Sequence, residues 1–204
     1  MNTIKRMPEF DRWLAGIRDG MTRIRLAKRL DKVQRGLLGD VAPVGEGVME
    51  MREFFGPGWR MYYIEQSGML IVMLGGGDKS TQSDDISRHS IEQNHHGVKT
   101  MATKINIKDL PNFDMVDYLK TDEDVANYLN LVLEENNPAE LNHALGTIAR
   151  ARGMTEVALA SGLTREALYK ALRPTSHPRF DTITRVCTAL GVKLVAQPVQ
   201  GTPV

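Results

Sequence analysis

The chain has 204 residues, 25% of them charged and 42% hydrophobic, with a formal net charge of +1, which is the composition of an ordinary globular protein with room for one large domain or two of roughly 100 residues each. No apolar run approaches the ~18 residues of a membrane span, and "MNTIKRMPEF" meets charge too early for a secretory leader, so a cytoplasmic protein without membrane contact is expected. The single cysteine, Cys187, excludes an internal disulfide framework and sits in an apolar run that predicts a small buried hydrophobe.

In chain order, "NTIKRM" predicts a short strand. "PEFDRWLAGI" predicts a helix with Pro8 at its first position and Phe10, Trp13, Leu14 and Ile17 on one face, broken by Gly20. "MTRIRLAKRLDKVQRGLLGD" repeats Ile24, Leu26, Leu30, Val33 and Leu37 along a second helix that ends at Gly36 or Gly39. Around the rest of its circumference run Arg23, Arg25, Lys28, Arg29, Lys32 and Arg35. "GVMEMREFF", "WRMYYIEQ" and "MLIVMLGG" predict three strands in an antiparallel meander, turning through "GPG" and "SG".

The stretch "MLGGGDKSTQ" has the look of a phosphate loop. That loop needs its last glycine directly before the lysine, and Asp78 intervenes between Gly77 and Lys79; the first glycine position is Val72. No nucleotide cofactor is therefore expected. "KSTQSDDISRHSIEQ" reads as a short closing helix or tail and "NHHGVKT" as a linker at 94–100, whose His95 and His96 have no further ligand at metal spacing.

Met101 begins a different pattern. Two acidic helical segments follow, "FDMVDYL" and "TDEDVANYLNLVLEENN", the second with Thr121 as N-cap and Asp122, Glu123 and Asp124 at the positive end of the helix dipole. Residues 1–35 hold ten Lys/Arg against four Asp/Glu, and residues 101–140 hold three against nine. The acidic part is thus expected to cover a basic surface built for an anion. After Pro138 the pattern is helical in short pieces. "TEVALASGLTREALYKAL" has helix-turn-helix spacing, with Ala158 at the helix crossing, Gly162 in the turn and Leu163, Leu168 and Leu172 as anchors. Thr164 then caps a recognition helix whose Arg165, Glu166, Tyr169 and Lys170 face outward.

"ALGTIARARGMTEVALASGLTREALYKALRPTSHPRFDTITRVCTALGVKL", with the acidic segment before it, resembles the HigA-type antitoxins, the addiction module antidote family, over nearly all of residues 114–196. The resemblance implies a Cro-like fold, a dimer on its own operator DNA, and a cognate toxin. It makes Thr164, Arg165, Tyr169 and Lys170 the DNA-reading set, with Arg173 and Arg179 on phosphates; Glu166 is either part of that set or a surface charge.

A strand, two helices and a meander with a basic helix suggest RNA handling, since the polyanion supplies most of the affinity of such surfaces, and Arg25, Lys28 and Lys32 are candidate RNA contacts. "GDVAPVGEGVMEMREFFGPGWRMYY" with "GGGDKSTQSDDI" resembles the RelE/HigB superfamily of toxins, in the addiction module killer branch, over nearly all of residues 1–93. That resemblance implies metal-independent cutting of mRNA, commonly on the ribosome. Such cleavage uses the neighbouring 2′-OH as nucleophile and needs cations around the phosphorane. On the family pattern Arg52, Arg60 and Lys79 would converge on one concave face, the arginines as forks and the lysine as a point charge.

Glu50, on the same strand face as Arg52, is either a general base or a salt-bridge partner. Trp59 either stacks on a base or is buried between strand and helix. Of Tyr62 and Tyr63, alternation lets at most one face the site.

The expectation is an α+β chain: a RelE-like toxin domain at 1–93, a linker at 94–100, an acidic toxin-contacting segment at 101–138, and an all-α helix-turn-helix domain at 139–204. Its function would be that of a latent endoribonuclease fused to its own neutralising, operator-binding antitoxin, dimeric and without metal. The rival expectation is a transcriptional regulator whose first domain only binds or senses.

Overall fold

The computed structural model describes residues 2–66, 68–80, 92–94, 97–99 and 104–198. The chain forms two compact units, one ending at Met115 and the other beginning at Val116. The first is mixed α/β in content and the second is all-helical, as the α+β expectation has it.

The first unit opens with β1 (Thr3–Arg6), α1 (Pro8–Gly16) and α2 (Gly20–Gln34). Pro8 starts α1 where its missing N–H is harmless, and Asp19 caps α2 by accepting from the Thr22 N–H at 2.8 Å. β2 (Val41–Gly45), β3 (Val48–Glu53), β4 (Trp59–Gln66) and β5 (Leu70–Asp78) follow, and the sheet order is β1-β5-β4-β3-β2. The meander is antiparallel, whereas β1 pairs with β5 in parallel at the far edge. β2 was not expected from the sequence: it is short and carries Pro43, which an edge strand tolerates. Three short strands, β6 (Glu92–Asn94), β7 (Gly97–Lys99) and β8 (Lys104–Ile105), make a small second sheet; β7 falls in the linker expected at 94–100, β6 mostly in the closing segment before it, and β8 after Met101. Of the closing segment expected at 79–93, residues 81–91 lie outside the described residues.

Side chains alternate across the large sheet, so each face has its own partners. Met51, Met61 and Tyr63 share the face of Glu53, whose carboxylate meets Arg29 of α2 at 3.2 Å, so this is the helix-covered face. Trp13 of α1 lies so close over β5 that a Cβ on Gly76 would stand 2.5 Å from its ring. Trp59 meets Trp13 edge-on, at 6.2 Å between centroids. A register shift between Tyr62 and Tyr63, which oppose Gly75 and Met73, makes a bulge at Leu74. Leu37, expected on the α2 stripe, lies beyond the helix end and is exposed.

On the opposite face Val48, Tyr62, Ile64, Val72 and Leu74 form a buried apolar cluster with Met7, closed by Ile107 and Leu110. Those two come from a 3-10 turn at Ile107–Asp109 and the residue after it. The chain then runs on beside β1, with the Arg6 N–H donating to the Pro111 carbonyl at 3.1 Å and the Phe113 N–H donating to that of Ile4 at 2.9 Å.

The second unit contains α3 (Asp122–Leu133), α4 (Pro138–Arg152), α5 (Met154–Ala160), α6 (Arg165–Ala171) and α7 (Phe180–Ala189). α3 begins with a full capping box: the Thr121 hydroxyl accepts from the Asp124 N–H and the Asp124 carboxylate accepts from the Thr121 N–H. Ala144, Leu145, Ile148, Val157, Leu168, Val186 and Cys187 are buried in its interior. Residues 191–196, "GVKLVA", carry no regular secondary structure.

Candidate functional site

The sheet face opposite the helices brings together most of the residues expected to carry chemistry. Arg52 on β3 and Arg60 on β4 are direct cross-strand partners, and Arg60 faces Gly77 on β5. Glu50, two residues before Arg52, is buried; its carboxylate oxygens lie 3.6 Å from Arg60 Nε and 4.0 Å from Arg52 Nε. Lys79 joins this group through the turn: a Cβ on Gly58 would be 3.6 Å from Lys79 Cβ and 3.9 Å from Arg60 Nη1. The three cations and one carboxylate thus occupy adjoining strand ends.

Asp40, just before β2, is a member that sequence reasoning missed. Its Oδ1 accepts from Arg52 Nε at 3.0 Å, so Arg52 is held between Asp40 and Glu50. Only recognising β2 would have placed Asp40 there, and the proline masks that strand. Arg60 is 7% exposed and also donates to the Trp59 carbonyl at 3.2 Å. Tyr62, on the same face and opposite Glu50, is fully buried, while Tyr63 faces the helices.

The remaining RNA candidates lie elsewhere. Trp59 is half-buried on the helix face, edge-on to Trp13. On α2, Arg25 places its guanidinium 4.3 Å over the Phe55 ring, and Lys28 is buried. Arg29, Arg25, Lys28 and Lys32 all act on Glu53, yet burial outweighs them and raises its carboxyl above the ordinary value. Through Arg29 the helix thus meets Glu53 on the face opposite Arg52 and Arg60.

In the second unit, Gly162 adopts φ +66° in the turn between α5 and α6, and the Leu163 N–H donates to the Ala158 carbonyl at 2.9 Å. The Thr164 hydroxyl caps α6 by accepting from the Ala167 N–H at 3.1 Å. Leu168 and Leu172 face inward, which leaves Arg165, Tyr169, Lys170 and Arg173 exposed on one surface. Arg165 lies 5.6 Å from the Tyr169 ring centre, and Arg179 is exposed beside Asp181. Buried Asn142 on α4 donates to the carbonyl of Ser176 at 2.9 Å and fixes the loop after α6. Among the described residues no cluster of His, Cys, Asp or Glu could hold a metal, and no helix is long and apolar enough to cross a membrane.

Residues 109–198 match a protein family described as "Probable addiction module antidote protein". Two Haemophilus influenzae proteins, each described only as "Uncharacterized protein", are similar. One is 42% identical over 88 residues, which is 43% of this chain and 91% of the relative; the other is 38% identical over 85 residues, 42% and 86% respectively. No solved structure matches. Through residues 109–198 the chain belongs to the addiction module antidote family. Membership suggests a role in a toxin–antitoxin system and implies a toxin as partner.

Proposed function

We propose that the chain unites both members of such a pair: an N-terminal RelE/HigB-like unit that cuts mRNA on the ribosome without a metal, and a C-terminal antidote unit that restrains it and binds operator DNA as a dimer in the cytoplasm. The observation that carries the first half is the group Arg52, Arg60 and Glu50 on one sheet face, with Lys79 beside Gly58 at the turn into β4. In the proposed reaction the 2′-OH of the substrate attacks the adjacent phosphorus and loses its proton. The 5′-oxygen of the next nucleotide leaves and is protonated, and a 2′,3′-cyclic phosphate remains. Two guanidinium forks and an ammonium supply the positive field that the phosphorane oxygens require. The distances from Glu50 to both arginines favour it as the group that positions them.

The same geometry explains latency. Arg52 is engaged by Asp40, and Arg60 by Glu50 and the Trp59 carbonyl. A scissile phosphate must displace these partners. The antidote-family span begins at 109, and its first residues lie along the sheet that carries the group. The exposed surface of Arg165, Tyr169, Lys170 and Arg173 behind a capped helix supports the DNA-binding half.

A second reading, a regulator with a non-catalytic first unit, is favoured by the burial of Arg60 and its internal partners. Translating extracts separate the two. The full chain carrying Ile107→Asp and Leu110→Asp, which removes the apolar closure of the sheet, should cut mRNA during translation, and adding Arg60→Ala should reduce cutting at least 100-fold, the scale of losing a transition-state donor. Intact mRNA with the folded double variant would leave the regulator.

A further inference from the structure

The geometry points to the cleft between α4 and α6 of the second unit as a binding site for a small aromatic carboxylate. The site stands apart from the DNA-binding reading above; only its effect on DNA rests on that reading.

The cleft follows from helical spacing. His143, Gly146 and Arg150 recur along α4 at intervals of three and four and so share one face, and Tyr169, Leu172 and Arg173 do the same along α6 and its C-terminal cap. The two faces line an opening of about 250 Å³. That is somewhat below the ~300–1,000 Å³ of pockets that hold drug-sized ligands, so the ligand that fits is small.

Gly146 keeps the space open. It lies in the middle of a 15-residue helix, where glycine is less favourable than alanine, and its φ is not in the left-handed region. A Cβ there would meet only ordinary contacts, 3.5 Å from the Leu172 carbonyl oxygen and 3.7 Å from Leu172 Cβ. Neither backbone conformation nor close approach therefore requires glycine. A long side chain at 146 would instead occupy the cleft.

The lining selects the ligand. Met154 and Leu172 are buried and give the cleft an apolar floor, and Tyr169 adds a ring. Aromatic rings pack well on tyrosine and on a thioether. Arg150 and Arg173 are exposed and so stand at the mouth, and no Asp or Glu is among the lining residues. A guanidinium takes a carboxylate as a two-pronged partner. A planar apolar body with one carboxylate at its end matches floor, ring and mouth together. Such a ligand engages Tyr169 and Arg173, two of the residues exposed on the surface read as DNA-binding, and so competes with DNA.

The test titrates the full chain with benzoate and indole-3-acetate, with their uncharged amides benzamide and indole-3-acetamide, and with inorganic phosphate, following backbone amide resonances. Both acids should bind at one to one and shift Gly146 and Tyr169, the uncharged amides should bind roughly tenfold more weakly for want of the charged pair, and phosphate should leave both resonances in place. Arg173→Gln should weaken the acids and leave the uncharged amides unchanged, and Gly146→Leu should abolish binding of all four. Should Gly146→Leu lose its cooperative melt, the exposed Arg173→Gln carries the test. No shift at ~10 mM acid, well above the Kd of even a millimolar ligand, overturns the site. So does equal binding of acids and uncharged amides, a response to phosphate like that to the acids, or acid binding unmoved by Arg173→Gln. Saturating acid should also weaken binding of the chain to random-sequence duplex DNA, and an unchanged affinity would overturn the competition. Acid binding by a chain that ignores duplex DNA would uphold the site and remove the DNA reading; duplex binding without acid binding would do the reverse.

Discussion

Gly76 shows what a single position can conceal. In the sequence it belongs to a glycine run that invites a phosphate-loop reading. In the structure the run is the end of β5, and the constraint at Gly76 is Trp13, whose ring would be 2.5 Å from any Cβ there. Gly76→Ala should therefore destabilise the chain by about 1–3 kcal/mol through overpacking, measured by denaturant unfolding. Gly16→Ala, where nothing lies within 4 Å, should be neutral or slightly stabilising; equal effects at the two sites would contradict this. Glu53 offers a test in pH. Burial raises its folded pKa above the usual 4.5 despite Arg29, so the folded chain holds that proton more tightly than the unfolded one. Its contribution is then fully present below the unfolded value and is lost as pH rises through the folded one. Unfolding curves near pH 4 and pH 7 should show the wild type losing stability relative to Glu53→Gln as pH rises, and a gap of the opposite trend would contradict the assignment.

At the scale of elements, periodicity and caps were readable because they are local. β1, both helices, the meander, Thr121 and Thr164 all rest on signals within a few residues. Thr164→Ala should cost about 1 kcal/mol and loosen α6, seen as a lower melting temperature and weaker DNA binding together; a change in neither would mean that the cap does not order the helix. What escaped was non-local. β2 is concealed by Pro43, and the parallel pairing of β1 with β5 joins Thr3 to Leu70 across the whole unit. The segment at 107–113 has little regular structure of its own, and its role appears only in the partners of Lys5, Arg6 and Gln34.

At the scale of the molecule, the two resemblances led to a basic unit covered by an acidic one. The described contacts within the first unit are of another kind: apolar side chains and backbone carbonyls do the covering, and much of the charge on α2 is directed at Glu53 and Asp31. Arg52 and Arg60, expected as open phosphate forks, are brought together as expected but held by Asp40 and Glu50. The division of the chain at Met115 also places the start of the antidote-family span in the first unit. Among the first residues of that span, Pro111 and Phe113 pair with β1 of the first unit. The most direct measurement is mRNA cleavage by the Ile107→Asp, Leu110→Asp chain in a translating extract, titrated with a synthetic peptide of residues 106–115. The account predicts cleavage that falls in step with peptide occupancy and is absent when Arg60 is alanine; cleavage that persists at saturating peptide, or never appears, would contradict it.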